Sequence, residues 1–152
     1  MKILVCGGAG YIGSHAVVQL IDQGYEVVVV DNLSTGHRWA IDERARFVKG
    51  DIRNHKLMDA VFQLEKIDAV MQFAADIVVA ESETDPLKYY DNNVYGTIAL
   101  LESMLKNNVK NIIFSSTAAV YGNTKAVPVT EDIPVAPISP YQLLQDSRQG
   151  QL

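Results

Sequence analysis

Residues 7–13 read Gly-Gly-Ala-Gly-Tyr-Ile-Gly, and this stretch decides the fold. The apolar run Ile3–Cys6 precedes it and predicts a strand, while an apolar stripe at helical spacing follows it. Glycine at Gly7, Gly10 and Gly13 permits a tight turn, lets backbone N–H groups approach a phosphate and lets the helix pack closely on the strand. The partial positive charge at the helix N-terminus favours a bound diphosphate. The stretch therefore predicts a dinucleotide-binding turn.

Two acidic residues follow later strands and extend this prediction. Asp31 comes directly after the second predicted strand, 18 residues beyond Gly13. A carboxylate at this place accepts hydrogen bonds from ribose hydroxyls and repels a 2′-phosphate, which favours NAD over NADP. Asp51 and Ile52 follow the third predicted strand and are placed to meet the adenine. The alternatives are a loop-start aspartate without a ligand for Asp31 and a simple turn for Asp51.

Apolar runs and helical patterns alternate along the whole chain, which is typical of βαβ units. We therefore predict an α/β fold with a Rossmann-type, doubly wound parallel sheet of about five strands. The predicted strands are Ile3–Cys6, Val27–Val30, Arg46–Lys49, Ala69–Phe73 and Ile112–Ser115.

Three helices are predicted between these strands. The first follows the glycine stretch and stops at Gly24, and the second is capped by Asn54. The second helix is expected to bury the side chains Leu57, Val61 and Leu64. The third begins at Asp85-Pro86, with an N-cap followed by proline at the first helical position, and continues to about Asn107. Four prolines between Ala126 and Pro140 predict a surface loop.

The composition excludes several classes of protein. The chain has 152 residues, of which 48% are hydrophobic, and this fits one globular domain. A net charge of -5 without a basic cluster argues against a nucleic-acid partner. The single cysteine, Cys6, excludes an internal disulfide and fits a cytoplasmic protein, and no apolar run is long enough to span a membrane. His15 and His37 lack partners at metal-ligand spacing, so no metal site is expected.

Six segments carry a more specific pattern. They are Gly-Gly-Ala-Gly-Tyr-Ile-Gly-Ser-His at 7–15, Asp-Asn-Leu-Ser at 31–34, Gly-Asp-Ile-Arg at 50–53, Pro-Leu-Lys-Tyr-Tyr-Asp-Asn-Asn-Val at 86–94, Phe-Ser-Ser at 114–116 and Ser-Pro-Tyr at 139–141. Together they resemble the UDP-glucose 4-epimerase branch of the extended short-chain dehydrogenases/reductases. The resemblance runs from Met1 to Tyr141.

The resemblance implies a reaction and a set of site residues. NAD takes a hydride from C4 of a UDP-hexose, the 4-keto sugar turns over, and the hydride returns to the other face. In this family Tyr141 is the catalytic base, and Thr117 hydrogen-bonds the sugar. The alternatives are a surface tyrosine in a proline-rich loop and a hydroxyl that merely ends a strand. Beside the three glycines, the residues implied to bind NAD are Tyr11, Ile12, Asp31, Asn32, Ser34, Asp51, Ile52, Phe73, Ala74 and Asn92.

The chain departs from the family pattern in three places. The family has a lysine four residues after the catalytic tyrosine, whereas this chain has Gln145. The family lysine lowers the pKa of the tyrosine, and a phenol with the ordinary pKa of about 10 is only about a thousandth ionised at pH 7. Ile77 stands where many epimerases carry a lysine. The family also continues into a further strand and a substrate domain beyond the length of this chain.

These departures predict an NAD-binding Rossmann domain over residues 1–141 and an atypical polar tail over residues 142–152. We expect the reaction to be impaired. The alternatives are a stand-alone NAD-binding or interaction module without turnover, and a sugar-nucleotide dehydratase, which usually carries an acid pair where this chain has Thr117-Ala118-Ala119. We also expect a homodimer through the long helix, or self-association through the fifth strand as an exposed sheet edge.

Overall fold

The structure is a computed structural model that describes residues 1–149, so the last three residues of the predicted tail lie outside the described part. The chain divides into two units. The first unit contains residues 1–75 and 96–115, and the second contains residues 76–95 and those from Ser116 onward. Each unit is described separately below.

The first unit contains a five-stranded parallel sheet in the order β3-β2-β1-β4-β5. Its strands are β1 (Lys2–Cys6), β2 (Glu26–Asp31), β3 (Arg46–Lys49), β4 (Ala69–Gln72) and β5 (Asn111–Phe114). The central strand β1 places Val5 beside Val29 of β2 and Met71 of β4. The fold prediction is confirmed, with each strand end within one residue of its predicted position.

Helices cover both faces of this sheet, which explains why its central strands are apolar at nearly every position. They are α1 (Tyr11–Asp22), α2 (His55–Glu65) and α5 (Gly96–Lys106). Val17 of α1 packs with Val5 and Val29 on one face. On the other face, α2 and α5 contribute a second cluster with Leu4 and Val28 of the sheet.

The cap of α2 is confirmed, but its predicted buried face is partly wrong. The Asn54 side-chain oxygen accepts a hydrogen bond from the Leu57 N–H at 3.1 Å. Leu64, however, is 77% exposed. The buried side chains of α2 are Met58, Val61, Phe62 and Glu65. Apolar residues lie on more than one side of this helix, so spacing alone did not select the side that meets the sheet.

The long helix predicted after Asp85 is interrupted. It begins as predicted with α4 (Pro86–Tyr89), where the Asp85 carboxylate accepts from the Lys88 N–H. A π-helical segment, Tyr90–Tyr95, separates α4 from α5. A π turn changes hydrogen bonding by one residue per turn and leaves no clear mark in apolar spacing.

The second unit contains α3 (Val79–Thr84), α4, the π-helical segment and α6 (Pro140–Gln149). Sequence patterns did not predict α3. Between Gly122 and Ser139 the chain has neither helix nor strand and is mostly exposed, which confirms the predicted surface loop. Among the described residues, no helix is long and apolar enough to cross a membrane.

Candidate functional site

The glycine turn between β1 and α1 is closed to side chains at two of its glycines. Gly7 has a φ of +79°, in the region that favours glycine, and its N–H donates to the Val30 carbonyl at 2.9 Å. A Cβ added to Gly13 would lie 2.2 Å from the Gly7 carbonyl oxygen. Backbone conformation therefore requires glycine at Gly7, and the close approach of α1 to the end of β1 requires it at Gly13.

The first turn of α1 offers free backbone donors. Within the described part of the chain, the N–H groups of Tyr11, Ile12 and Gly13 make no hydrogen bond, and helical bonding starts with the Ser14 N–H on the Gly10 carbonyl at 2.9 Å. Tyr11 and Ile12 are exposed. Free N–H groups at a helix start, reinforced by the helix dipole, form a site for an anion such as a diphosphate.

Asp31 ends β2 and is buried, with 8% of its surface exposed. One carboxylate oxygen accepts from the Ala9 N–H at 2.9 Å, and the other accepts from the Leu33 N–H at 2.8 Å. Each oxygen keeps a further lone pair, so the carboxylate can still accept from ribose hydroxyls. Burial, and next the negative charge of Asp31, raises the pKa of the Cys6 thiol to about 12. Cys6 therefore remains a protonated packing residue.

The polar residues after β2 and β3 meet through one hydrogen bond. Asn32 and Ser34 are exposed, and the Asn32 amide donates to the Asp51 carboxylate at 3.1 Å. Hydrogen bonds from Arg53, above all, lower the pKa of Asp51 to about 2, so its carboxylate is an acceptor at neutral pH. Ile52 is buried in the sheet core and is first of all a packing residue.

The carboxyl end of β4 lies beside the glycine turn. Phe73 donates its N–H to the Cys6 carbonyl at 2.9 Å, and a Cβ on Gly7 would lie 2.6 Å from the Ala74 nitrogen. The buried Gln72 side chain bonds the Ala74 N–H and carbonyl, each at 3.2 Å. The strand order reverses between β1 and β4, and ligands of such sheets bind at this reversal. Sequence analysis missed Gln72, although a glutamine within an apolar strand is a visible signal.

The second unit holds Tyr141 in the first turn of α6, buried to 6% exposure. The Gln145 amide nitrogen, also buried, donates to the Tyr141 hydroxyl at 3.1 Å. The Tyr141 N–H donates to the hydroxyl of the fully buried Ser82 at 3.2 Å. The Tyr141 ring makes an edge-on contact with Tyr89, with centroids 6.4 Å apart. Tyr141 is therefore not a surface tyrosine.

Thr117 and Asn92 also belong to the second unit. Thr117 precedes a 3-10 turn and accepts from the Ala119 N–H at 3.2 Å through its hydroxyl oxygen. Asn92 is half-buried and donates to the side-chain oxygen of Asn93. The buried Asn93 side chain bonds the N–H and carbonyl of Asp76, each at 2.9 Å. Ser82 and Asn93 had no signal in the sequence, since both contacts join residues distant in the chain.

No group of three histidine, cysteine, aspartate or glutamate side chains that could hold a metal ion is found within the part of the chain that the structure describes. The surface pocket lined by Ile67, Asp68 and residues 107–111 lies at the amino ends of β4 and β5, away from the glycine turn. The features suited to a ligand lie at the carboxyl ends of the strands.

The sheet order, the glycine turn and the acid at the end of β2 define the class of dinucleotide-binding Rossmann proteins. The chain belongs to the NAD dependent epimerase/dehydratase family, which it matches over residues 3–145. The matched range includes the β-sheet, Thr117, Tyr141 and Gln145.

The chain is also similar to individual UDP-glucose 4-epimerases. The chain is 57% identical over 141 residues to a UDP-glucose 4-epimerase of Lactobacillus helveticus, covering 93% of this chain and 43% of that protein. A crystal structure of a UDP-glucose 4-epimerase superposes with a TM-score of 0.97 at 50% identity, covering 99% of this chain and 46% of that one. The UDP-glucose 4-epimerase of Brucella ovis, solved with NAD, gives a TM-score of 0.95 at 42% identity, with coverage of 99% and 46%. The chain thus spans less than half the length of these relatives.

Proposed function

We propose that this chain binds NAD at the glycine turn. The observation that carries the proposal is the set of unbonded N–H groups of Tyr11, Ile12 and Gly13 at the start of α1. These donors would bind the diphosphate, and the absence of side chains at Gly7 and Gly10 would let it approach the backbone. The NAD-bound relative from Brucella ovis supports the choice of ligand.

The remaining residues of the proposed NAD site would contact the other parts of the cofactor. Asp31, with a free lone pair on each oxygen, would accept from the adenosine ribose and disfavour NADP. Asp51 would accept from the adenine amino group. The other proposed contacts are Asn32, Ser34, Ile52, Phe73, Ala74 and Asn92.

For the reaction we propose that of the UDP-glucose 4-epimerases, interconversion of UDP-galactose and UDP-glucose. NAD supplies the acceptor and donor of the hydride at C4 of the sugar. Tyr141 would take the proton of the C4 hydroxyl through its phenolic oxygen, and Thr117 would hydrogen-bond the same hydroxyl. The net charge of -5 supports a small-molecule substrate over a nucleic acid.

We also propose that catalysis by this chain is impaired. Gln145 donates to the Tyr141 hydroxyl through its side-chain amide, which carries no charge. A neutral donor stabilises a phenolate less than a lysine ammonium does, because it adds no opposite charge. This observation favours the second candidate function, NAD binding without turnover.

The organisation proposed with this function keeps residues 1–141 as the NAD-binding domain and residues 142–152 as a polar tail. We place the protein in the cytoplasm, which its single buried cysteine supports. We further propose that self-association as a homodimer uses the long helical region, where Tyr90 and Tyr95 expose apolar surface.

Two measurements test the proposal. The first measures binding, from the mass and absorbance of any nucleotide released when the purified chain is denatured and from calorimetric titration with NAD and NADP. We expect released NAD and a higher affinity for NAD than for NADP. A chain that binds neither nucleotide contradicts the proposal. Incubation with UDP-galactose and NAD, followed by chromatography for UDP-glucose, tests turnover. We expect no product above a Tyr141→Phe control, and clear product from the parent chain contradicts the impairment.

A further inference from the structure

Ala9, in the middle of the glycine turn, is held at both its backbone groups, by the last residue of β2 and by a residue of the segment that follows β2. Its N–H donates to one oxygen of Asp31 at 2.9 Å, and its carbonyl accepts from the His37 N–H at 3.0 Å. Gly36 packs directly on it, because a Cβ at Gly36 would lie 2.8 Å from the Ala9 carbonyl carbon. The turn is therefore attached to the segment after β2 at three points.

The second oxygen of Asp31 organises that segment. It accepts from the Leu33 N–H at 2.8 Å, and Leu33 has a φ of +61°, which is uncommon for a leucine. The chain thereby turns back from β2 and brings Gly36 and His37 to Ala9. The buried Asp31 carboxylate thus bonds both Leu33, at the start of this segment, and Ala9 of the glycine turn, which Gly36 and His37 of the same segment also contact.

The connection needs an acceptor oxygen at both positions of the side chain. Two backbone N–H groups approach it from different sides, and each needs an acceptor oxygen. Asparagine has the same shape, but it offers one oxygen and one NH2 group, so one N–H would face a donor. A buried donor without an acceptor is unfavourable.

We propose that Asp31 is a positioning residue for the phosphate-binding turn, because its two oxygens fix Ala9 and Leu33, in addition to any contact with ribose. This inference rests on the proposed binding of NAD. A residue that only recognises the ribose affects only ligands with ribose hydroxyls. A residue that positions the turn also affects ligands that lack them.

Titration of the full chain with ADP and with 2′,3′-dideoxy-ADP separates the two roles. Asp31→Asn is expected to weaken binding of the dideoxy ligand about tenfold, as the loss of a charge-assisted hydrogen bond predicts. Asp22→Asn, which removes an exposed carboxylate of equal charge, is expected to leave it unchanged. Gly36→Ala, which displaces Ala9 without touching Asp31, is expected to weaken both ligands equally. Parent-like binding of the dideoxy ligand by Asp31→Asn overturns the proposal.

Amide hydrogen exchange of the ligand-free chain gives a test that does not need NAD binding. In Asp31→Asn we expect faster exchange at Ala9 and Leu33, with exchange at Val5 in β1 as in the parent, so that general destabilisation is excluded. Unchanged exchange at Ala9 overturns the inference. If the parent binds neither ADP nor NAD while Ala9 exchange responds as expected, the proposed function fails and the positioning role of Asp31 stands.

Discussion

The glycine turn and the surroundings of Tyr141 are held in different ways. In the turn, backbone geometry dominates: Gly13 has no room for a side chain, and the contacts of the turn join backbone groups to each other or to the Asp31 carboxylate. Around Tyr141, side chains from separate helices converge, and its partner Ser82 is 59 residues away in the chain. Steric exclusion leaves glycines that are visible in the sequence, whereas converging side chains leave no local pattern. The turn was therefore predictable, whereas around Tyr141 only Gln145, four residues further along the chain, could be named from the sequence.

The largest expected effect tests the steric closure of the turn. Gly13→Ala places a Cβ 2.2 Å from a backbone oxygen, which cannot move without separating α1 from β1. We expect the free energy of NAD binding to become about 3 kcal/mol less favourable, which calorimetric titration would show as a roughly hundredfold weaker NAD affinity. Gly24→Ala is the matched control, since Gly24 has a φ of +85° but no atom within 4 Å of the added Cβ. It should destabilise the fold by about 1 kcal/mol with unchanged NAD affinity, and equal NAD affinities for the two variants contradict the steric argument.

A smaller effect is expected at the buried tyrosine beside Tyr141. The Tyr89 hydroxyl lies 2.8 Å from both the Val78 carbonyl oxygen and the Glu81 carboxylate, and its one hydrogen is shared between these two acceptors. Tyr89→Phe should lower the free energy of unfolding in urea by about 1 kcal/mol, since both acceptors lose their donor. Tyr90→Phe alters a half-exposed tyrosine and should stay within about 0.5 kcal/mol of the parent.

The same pair of variants has a pH signature. Burial, and next the hydrogen bond to Glu81, raises the pKa of Tyr89 to about 12. The unfolded chain ionises this phenol near pH 10, so the stability linked to its neutral form is present below pH 10 and is lost as the pH rises to about 12. Tyr89→Phe should therefore lose less stability than Tyr90→Phe over this range, and parallel curves contradict this assignment.

The smallest effect is expected at Asp51, which follows β3, at acid pH. The pKa of Asp51 is lowered to about 2, first by its hydrogen bond from Arg53, so this stabilising contribution is present above about pH 4 and is lost as the pH falls toward 2. Arg53→Ala should lower stability at pH 7 by less than about 1 kcal/mol, because the pair is partly exposed. Lys49→Ala, which removes an equal charge, is the control. In urea unfolding followed by circular dichroism, the stability difference between Arg53→Ala and this control should disappear near pH 2. A constant deficit contradicts the assignment.

Predictions succeeded where one physical requirement acts locally. Because β2 is buried on both faces, its residues form a continuous apolar run that is easy to recognise in the sequence. The cap of α2 is a local contact, since the Asn54 side chain accepts from an N–H only three residues further along the chain. Predictions failed where the same local sequence is compatible with more than one structure. The spacing in α2 fitted Leu64 as a buried residue, but the packing of this helix against the sheet left Leu64 in solvent. The π-helical segment Tyr90–Tyr95 likewise left no mark in the apolar pattern.

The sequence by itself determined the parallel sheet, the glycine turn, the acid after β2 and the presence of Gln145 after Tyr141. These follow from burial, from the space available to a side chain and from the identity of single residues. Only the tertiary structure decided that Asp31 accepts from Ala9 and that Ser82 accepts from Tyr141. The physical reason is that a hydrogen bond between distant residues depends on where the whole backbone carries them, and no local pattern encodes that distance.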